Sequence, residues 1–190
     1  MSPKLTSVFA CAAVSLIVAA LPLTGLSAQA AELDDATIVA IFDGANTADL
    51  ETGALAEKRG ANPEVRDFGA MLVRDHRMVR QQGRDLAARL GVTPTPPEND
   101  QSAKDHAAAL ARLGALEGVE FDRAFLQYEA AFHQAVIDAV TSTLLPAIQN
   151  PELKALVEKV APAFQAHLRM AQELEKKIAG AKPGDRASAR

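Results

Sequence analysis

The chain has 190 residues, 48% of them hydrophobic, and a formal net charge of −4 at neutral pH. This size suits one domain with a sizeable core, and the acidic, mixed-sign balance argues against nucleic acid as a partner. Beyond the N-terminal segment no apolar run of about 18 residues occurs, so the sequence predicts no integral membrane span in the mature chain.

The first segment, residues 1–30, reads as a signal peptide. It has a short basic start with Lys4, an apolar stretch over residues 8–23, and "AQA" at residues 28–30, which fits the small-x-small cleavage rule. We therefore predict cleavage after Ala30 and a periplasmic or otherwise exported protein. An uncleaved anchor and a lipoprotein attached through Cys11, the only cysteine, are the alternatives. The sequence "VFAC" comes before the apolar stretch is complete, which disfavours lipid attachment.

The remaining sequence predicts four long helices and no strands, because good helix formers dominate and no alternating pattern occurs. The helices are expected at about 34–59, 63–90, 118–145 and 151–178. Asn62 is a suitable cap for the second helix, Pro63 takes its first position, and Gly91 ends it. These helices form one predicted domain over residues 31–180, followed by a small, polar tail at 181–190 that we predict to be disordered.

The connection between the second and third helices, residues 91–118, is long. It opens with "GVTPTPPEND", in which three prolines prevent a helix, and continues with a short amphipathic helix at Ser102–Leu116. A connection of this length can cross the bundle and let helices two and three run parallel, as in ferritin-like bundles. We therefore predict an all-α, ferritin-like four-helix bundle with a long crossover connection that carries a short helix. An up-down-up-down bundle with a floppy loop is the alternative.

Helical periodicity places ionisable side chains at or near the inward face of each long helix, close to its middle. They are Asp49 on the first helix, Asp75 and His76 on the second, Glu129 and His133 on the third, and His167 on the fourth. On the third helix, Phe121, Phe125 and Phe132 mark the centre of the apolar stripe. Glu129 and His133 are therefore expected at the edge of that stripe. His106, on the short helix, is expected at the surface.

Carboxylates and imidazoles that converge inside a four-helix bundle are the ligand set of a metal site. We predict Asp49, His76, His133 and His167 as ligands, with Asp75 and Glu129 as supporting groups or alternates. These ligand types suit Zn, Cu, Fe or Ni. A hydrogen-bonded polar layer without metal would also satisfy the same groups and is the alternative.

A resemblance to a known family rests on three stretches: "DLETGALAEKRGANPEVRDFGAMLVRDH", "LEGVEFDRAFLQYEAAFHQAV" and "APAFQAHLRMAQEL". They resemble the secreted bacterial family called domain of unknown function 4142. This family belongs to the ferritin-like superfamily, and its members are often labelled outer-membrane proteins. The motifs are Asp75-His76, Phe121-Asp122 followed by His133, and Pro162 five residues before His167. Where the family usually has Glu on the first helix, seven residues before a helical Ala, this chain has Asp49.

The resemblance implies the fold and an exported protein, and it implies no activity because none is established for the family. We expect a metal-binding bundle of the cell envelope with a buffering or stress-related role. The alternative is a structural or interaction module, acting as a homo-oligomer or with an envelope partner. A ferritin-like oxidase would use paired Glu-x-x-His motifs. "EAAFH" spaces Glu129 and His133 by four residues instead, so an enzyme is not favoured.

Overall fold

A computed structural model describes residues 33–180; the predicted signal peptide, with Cys11, and the predicted tail lie outside the described residues. Within this range the chain forms five α-helices longer than a single turn and no strand, which confirms the all-α prediction. They are α1 (Asp35–Arg59), α2 (Pro63–Leu90), α3 (Ser102–Gly114), α4 (Gly118–Ala139) and α5 (Pro151–Gly180). None of the helices in residues 33–180 is both long and apolar enough to span a membrane.

The ends of α1 and α2 follow from local chemistry. The Asp34 carboxylate accepts a hydrogen bond from the Thr37 N–H at 2.8 Å, which satisfies one of the free donors at the start of α1. Asn62 caps α2 in the same way, with Pro63 in the first turn. Gly91 ends α2 in the left-handed region, at φ 66°, where glycine is favoured. The predicted ends of these helices are confirmed.

The end of α4 departs from the prediction of a regular helix to about residue 145. Val140–Leu144 forms a π-helical turn, and a single α-turn, Leu145–Ala147, follows it. The hydroxyls of Thr141 and Ser142 donate to backbone carbonyls one turn back. Such bonds compete with the regular backbone ladder, and a π-helical turn accommodates an extra residue in it.

Contacts at the two ends of the bundle fix the directions of the helices. At one end, Asp122, near the start of α4, accepts from the backbone N–H of Asn62, just before α2. At the other end, Asp35, at the start of α1, accepts from the N–H of Asn150, just before α5. Helices α2 and α4 therefore run in the same direction, and α1 and α5 run in the opposite one. This excludes an up-down-up-down order.

The connection from α2 to α4 consequently spans the length of the bundle, and α3 packs against α1 and α4 on the way. His106 on α3 contacts Glu51 on α1, with 2.8 Å between Nε2 and Oε2. Its side chain is 16% exposed, so His106 is partly buried and is not the open surface residue that was expected. The α1–α3 packing covers the ring, which the periodicity of a short helix alone could not reveal.

Two apolar clusters fill the two ends of the interior. The upper cluster, at the end where α1 begins, contains among others Ile38, Phe42, Val79, Leu86, Val157 and Phe164. The lower cluster, at the end where α1 finishes, contains among others Val65, Phe68, Leu72, Phe121 and Phe125. Burying such side chains stabilises the fold by about 1.5–3 kcal/mol each.

Two glycines set the distance between α1 and α2 beside the middle of the bundle. A Cβ atom on Gly69 would lie 2.6 Å from the carbonyl oxygen of Gly53, and one on Gly53 would lie 2.9 Å from that of Gly69. Without side chains at these positions the two backbones can pack in direct contact. This contact brings the middle turns of α1 and α2, with Asp49 and His76, close together.

Candidate metal centre

A layer of buried polar side chains separates the upper and lower clusters, and all four long helices contribute to it. We call it the polar layer. It consists of Asn46, Asp49, Thr52, His76, Glu129, His133 and His167, none of which is more than 4% exposed. The structure thus brings together the four side chains predicted as metal ligands, and it places Glu129 among them. Asp75 lies at the edge of the layer, with its side chain 24% exposed.

Helical spacing positions these side chains. Asn46, Asp49 and Thr52 follow one another at intervals of three residues, so they share one face of α1. Glu129 and His133 are four residues apart on α4 and are both 0% exposed. They lie at the centre of the inward face, whereas Phe132 is only half-buried. The expected stripe on α4 is right for Phe121 and Phe125, which are buried, but wrong for Phe132 and for the edge position of Glu129 and His133, because contacts with both α1 and α5 decide which face of α4 points inward.

Hydrogen bonds fix which nitrogen of two imidazoles carries the proton. His76 Nδ1 lies 3.0 Å from Asn46 Oδ1, and the Asn46 amide group donates to the Phe42 carbonyl oxygen, so Oδ1 is the atom that faces His76. His133 Nδ1 lies 3.0 Å from the carbonyl oxygen of Glu129. Both oxygens can only accept, so both Nδ1 atoms carry the hydrogen. The Nε2 atoms of His76 and His133 are left with free lone pairs.

The third imidazole has the opposite orientation. His167 Nε2 lies 3.2 Å from the Asp75 carboxylate, which accepts its hydrogen and leaves Nδ1 with a lone pair. His167 Nδ1 then faces His76 Nε2 at 3.2 Å. In these tautomers neither of the two nitrogens carries a hydrogen. His133 Nε2 is buried without any hydrogen-bond partner. The three imidazoles each offer a nitrogen, and these nitrogens lie within 4.8 Å of one another.

Burial keeps the imidazoles of His76 and His167 neutral. Burial, followed by the charges of His167 and His133, lowers the pKa of His76 to about 2. Burial and His133 also lower the pKa of His167, against an opposing contribution from Asp75. At neutral pH the lone pairs of His76 and His167 are therefore free, which is the state in which imidazole binds a metal ion.

The two carboxylates of the layer lack a positive partner. Neither oxygen of Asp49 has a hydrogen-bond donor, and neither does Glu129 Oε2; Glu129 Oε1 accepts from the Thr52 hydroxyl at 2.6 Å. Burial and the neighbouring Glu129 carboxylate raise the pKa of Asp49 well above its usual range. Two buried carboxylates side by side are costly unless a cation or a proton compensates them.

Asp49 lies behind two of the imidazoles. Its Oδ2 is 3.5 Å from His76 Nδ1 and its Oδ1 is 3.8 Å from His133 Nδ1, whereas the free nitrogens are the Nε2 atoms. Asp49, Glu129 and His133 also offer ligand atoms within 4.8 Å of one another. The layer therefore has a side rich in nitrogen and a side rich in carboxylate oxygen, with His133 between them.

The spacing of the free nitrogens suits a small coordinated ion. A tetrahedral ion bound at about 2.0 Å holds two nitrogen ligands about 3.3 Å apart. The separation between His76 Nε2 and His167 Nδ1, 3.2 Å, is close to that value. His76 and His167 are thus spaced as two ligands of one tetrahedral ion would be.

Some residues of the layer and of the motifs have roles that sequence reasoning missed. Asn46 and Thr52 belong to the layer, and their spacing of three residues from Asp49 could have indicated this. Asp122, in the Phe-Asp motif, is buried and accepts from the N–H groups of Ala61 and Asn62. It therefore holds the turn between α1 and α2 and lies outside the polar layer.

Comparison with known proteins gives a family and a fold. The family described as "Domain of unknown function (DUF4142)" matches residues 21–174. No curated protein sequence matches the chain. A crystal structure of a DUF305 fragment from Deinococcus radiodurans is similar, with a TM-score of 0.65 and 20% identity over 75% of this chain and 95% of that one. CopM in its Cu(II)-bound form is similar at a TM-score of 0.60, with 16% identity over 76% of this chain and 98% of that one. At such identities the likeness concerns the helical-bundle fold alone.

Proposed function

The chain belongs to the DUF4142 family, whose description assigns no activity, and we propose from the geometry of the polar layer that it is a metal-binding protein of the cell envelope. In this proposal the Nε2 atoms of His76 and His133 and the Nδ1 atom of His167 hold one divalent transition-metal ion. One observation carries the proposal: three buried imidazoles converge beside two buried carboxylates whose oxygens lack a cation.

The charges of the layer favour a single divalent ion. Asp49 and Glu129, when ionised, carry two negative charges, and one divalent ion next to them balances both. Asp49 lies on the Nδ1 side of His76 and His133. We therefore assign it, together with Glu129, to charge compensation and to support of the imidazoles from behind, as carboxylates commonly do in histidine metal sites. Direct ligation by Asp49 is the arrangement that the sequence alone had suggested.

The ligand set narrows the choice of metal. Three imidazoles suit Zn, Cu, Fe or Ni, and a tetrahedral spacing of nitrogens favours Zn(II) among the divalent ions. CopM, which shares the fold, is a protein whose structure holds Cu(II). Copper and zinc are therefore the first ions to test.

The proposal also includes a fold class and a cellular location. We assign the bundle to the ferritin-like class, because α2 and α4 run parallel and a long connection with a helix joins them. Export with cleavage after Ala30 would place the protein in the periplasm. A buried site formed by imidazoles is suited to holding an ion, so we propose a role in metal buffering or in protection against metal stress.

A second candidate is a structural polar layer that only fixes how the helices meet. The bonds His76–Asn46, Thr52–Glu129 and His167–Asp75 favour it, since they satisfy part of the layer without any ion. The unpartnered atoms of Asp49, Glu129 and His133 speak against it, because buried polar groups are normally hydrogen-bonded.

Metal content and thermal stability test the two candidates together. Protein purified without a metal-affinity column is analysed for metal, then stripped and reconstituted with Zn, Cu, Fe or Ni. We expect about one ion per chain, and stabilisation by about 2.7 kcal/mol at a free metal concentration one hundred times Kd. His167→Ala should abolish both effects, and the matched control His106→Ala should retain them. A metal content near zero after all four reconstitutions would leave only the structural layer.

A further inference from the structure

Within residues 33–180, a hydrogen bond at the seam between α2 and α5 links the buried polar layer to a partly exposed side chain. The seven side chains of the layer are at most 4% exposed. Among the hydrogen bonds that their side chains make in residues 33–180, the partner with appreciable exposure is Asp75, whose carboxylate binds His167 Nε2 at 3.2 Å. A continuous series of polar contacts therefore leads from solvent through Asp75 and His167 to His76.

The other directions along the helix axes are closed by apolar side chains. On the upper side, the Phe164 ring lies 5.5 Å from the His76 ring and 6.3 Å from the His133 ring, centre to centre. On the lower side, the fully buried Leu72 and Phe125 belong to the lower cluster. A partly hydrated ion cannot cross such regions without a large desolvation cost.

We propose that metal ions enter and leave the polar layer past Asp75, and that Arg74 slows their passage; this inference rests on the proposed function. The Asp75 carboxylate accepts hydrogen bonds from two side chains. Its Oδ1 accepts from Arg74 Nε at 2.8 Å, and its Oδ2 accepts from His167 Nε2 at 3.2 Å. A carboxylate at this point supplies the first oxygen ligand for an arriving ion, and His167 is the next ligand inward.

Arg74 acts in the opposite sense to Asp75. Its side chain is 70% exposed, so its guanidinium places a positive charge at the opening. That charge repels an approaching dication and also occupies an oxygen of Asp75. A single charge at a site opening changes the local concentration of an oppositely or similarly charged ion, and hence its association rate. Asp75 and Arg74 are therefore positioning residues that set the rate of exchange.

The two contributions of Asp75 can be separated by kinetics. Once an ion is bound, the contact with His167 Nε2 also orients the imidazole, which strengthens equilibrium binding. An orienting role alone would speed release and leave loading unchanged. A role in passage changes loading and release in the same direction, because both directions cross the same opening.

Stopped-flow measurements on the metal-free full chain test the route, with Zn(II) as the probe for loading and a chelator for release. We expect Asp75→Asn to slow both rates about tenfold and Arg74→Gln to speed loading by a similar factor, since each changes one charge at the opening. The controls are Asp67→Asn, two turns away on α2, and Arg123→Gln on α4. Both controls are exposed, make the same charge changes and should match the wild type.

The outcomes distinguish this inference from the proposed function. If the wild type takes up no metal, both are overturned. If the wild type binds one ion and all four variants load and release it at wild-type rates, the site stands and the route is wrong. If Asp75→Asn only speeds release, Asp75 orients His167 and the ion passes elsewhere. Higher ionic strength should reduce the effect of Arg74→Gln, because salt screens charges at an exposed opening.

Discussion

The two apolar clusters and the polar layer are formed by the same four long helices, but different interactions determine their stability. In the clusters, burial of carbon atoms is favourable whatever the direction of the neighbours, so most side chains contribute stability independently. In the layer, each polar atom needs a partner in a particular direction, and several have none. The comparison suggests that the clusters supply the stability and that the layer, when metal-free, reduces it.

The largest expected effect concerns the lower cluster. Phe125 is 0% exposed, and its ring lies 6.1 Å from Phe121 and 6.0 Å from Phe68. We expect Phe125→Ala to lower the free energy of unfolding by about 3–5 kcal/mol, because it leaves a cavity in a packed cluster. Urea unfolding measures the change. The control is Phe132→Ala on the same helix, which should cost less than half as much because Phe132 is half-buried. Equal losses would mean that the two aromatic positions do not differ in packing.

The contrast between Phe125 and Phe132 also shows what the sequence could and could not predict. Helix ends were predictable because Asn62, Pro63 and Gly91 determine the local backbone conformation, independently of contacts with the other helices. The rotation of α4 was not predictable, because it is decided by contacts with both α1 and α5. Periodicity alone placed Phe132 inward and His133 at the edge, and the packing reverses that order.

For the candidate site, the grouping of the residues was predictable but their hydrogen bonding was not. One ionisable residue near the middle of each long helix was enough to place Asp49, His76, His133 and His167 in one layer. The tautomers were beyond the sequence, because they depend on which oxygen lies within 3.0 Å of each Nδ1 atom. The unpartnered state of Asp49 was likewise hidden, since it depends on the neighbouring side chains of α2 and α4.

Asp49→Asn should change the free energy of unfolding in the opposite direction to a substitution in the apolar clusters. In metal-free protein we expect it to raise the free energy of unfolding by about 1–3 kcal/mol, because it removes a buried carboxylate without a hydrogen-bond partner and supplies a donor for Glu129 Oε2. It should also weaken metal binding, because less negative charge remains to balance the ion. Thermal melts with and without chelator measure both effects.

Asp43→Asn is the matched control for that change. Burial alone would raise the pKa of Asp43, but hydrogen bonds from Arg84 and Arg80 outweigh burial and lower the pKa. This carboxylate is already partnered, so its loss should destabilise the protein or leave it unchanged, and metal binding should stay as in the wild type. Stabilisation by both substitutions would indicate a general effect of removing negative charge from an acidic protein.

The free energy of unfolding of the metal-free protein should fall when the pH is lowered and also when it is raised. The lowered pKa of His76 and of His167 means that the unfolded chain binds more protons below about 6.5, the ordinary histidine pKa. Their contribution is complete above that pH and is lost as the pH falls. The raised pKa of Asp49 works in the reverse direction. Its contribution is present below about 3.9, the ordinary Asp pKa, and is lost as the pH rises towards the raised value.

Together these shifts predict that stability falls as the pH drops below the ordinary histidine pKa and falls again as the pH rises towards the raised pKa of Asp49, with a maximum between the two declines. The slope on either side should be up to about 1.4 kcal/mol per pH unit for each uncompensated proton. Urea unfolding between pH 5 and pH 8 checks this. Saturating metal should remove the alkaline decline, because the ion stabilises the Asp49 carboxylate, and Asp49→Asn should remove it without metal. A flat profile in metal-free wild-type protein would mean that the layer carries no buried charge.

The smallest expected effect concerns the histidine outside the layer. His106 has one hydrogen-bond partner, Glu51, whose side chain is 47% exposed, and contacts of this kind contribute about 0–1 kcal/mol. The end of α3 is held separately, because Arg59 donates to the carbonyl oxygens of Gly114 and Leu116. We therefore expect His106→Ala to change the free energy of unfolding by less than about 1 kcal/mol and to leave metal content unchanged. His167→Ala, measured in parallel by unfolding and elemental analysis, should lose the metal, because its Nδ1 atom lies among the free nitrogens. Loss of metal in His106→Ala would show that burial and convergence of lone pairs do not identify the ligands, and the distinction between the layer and the rest of the bundle would fail.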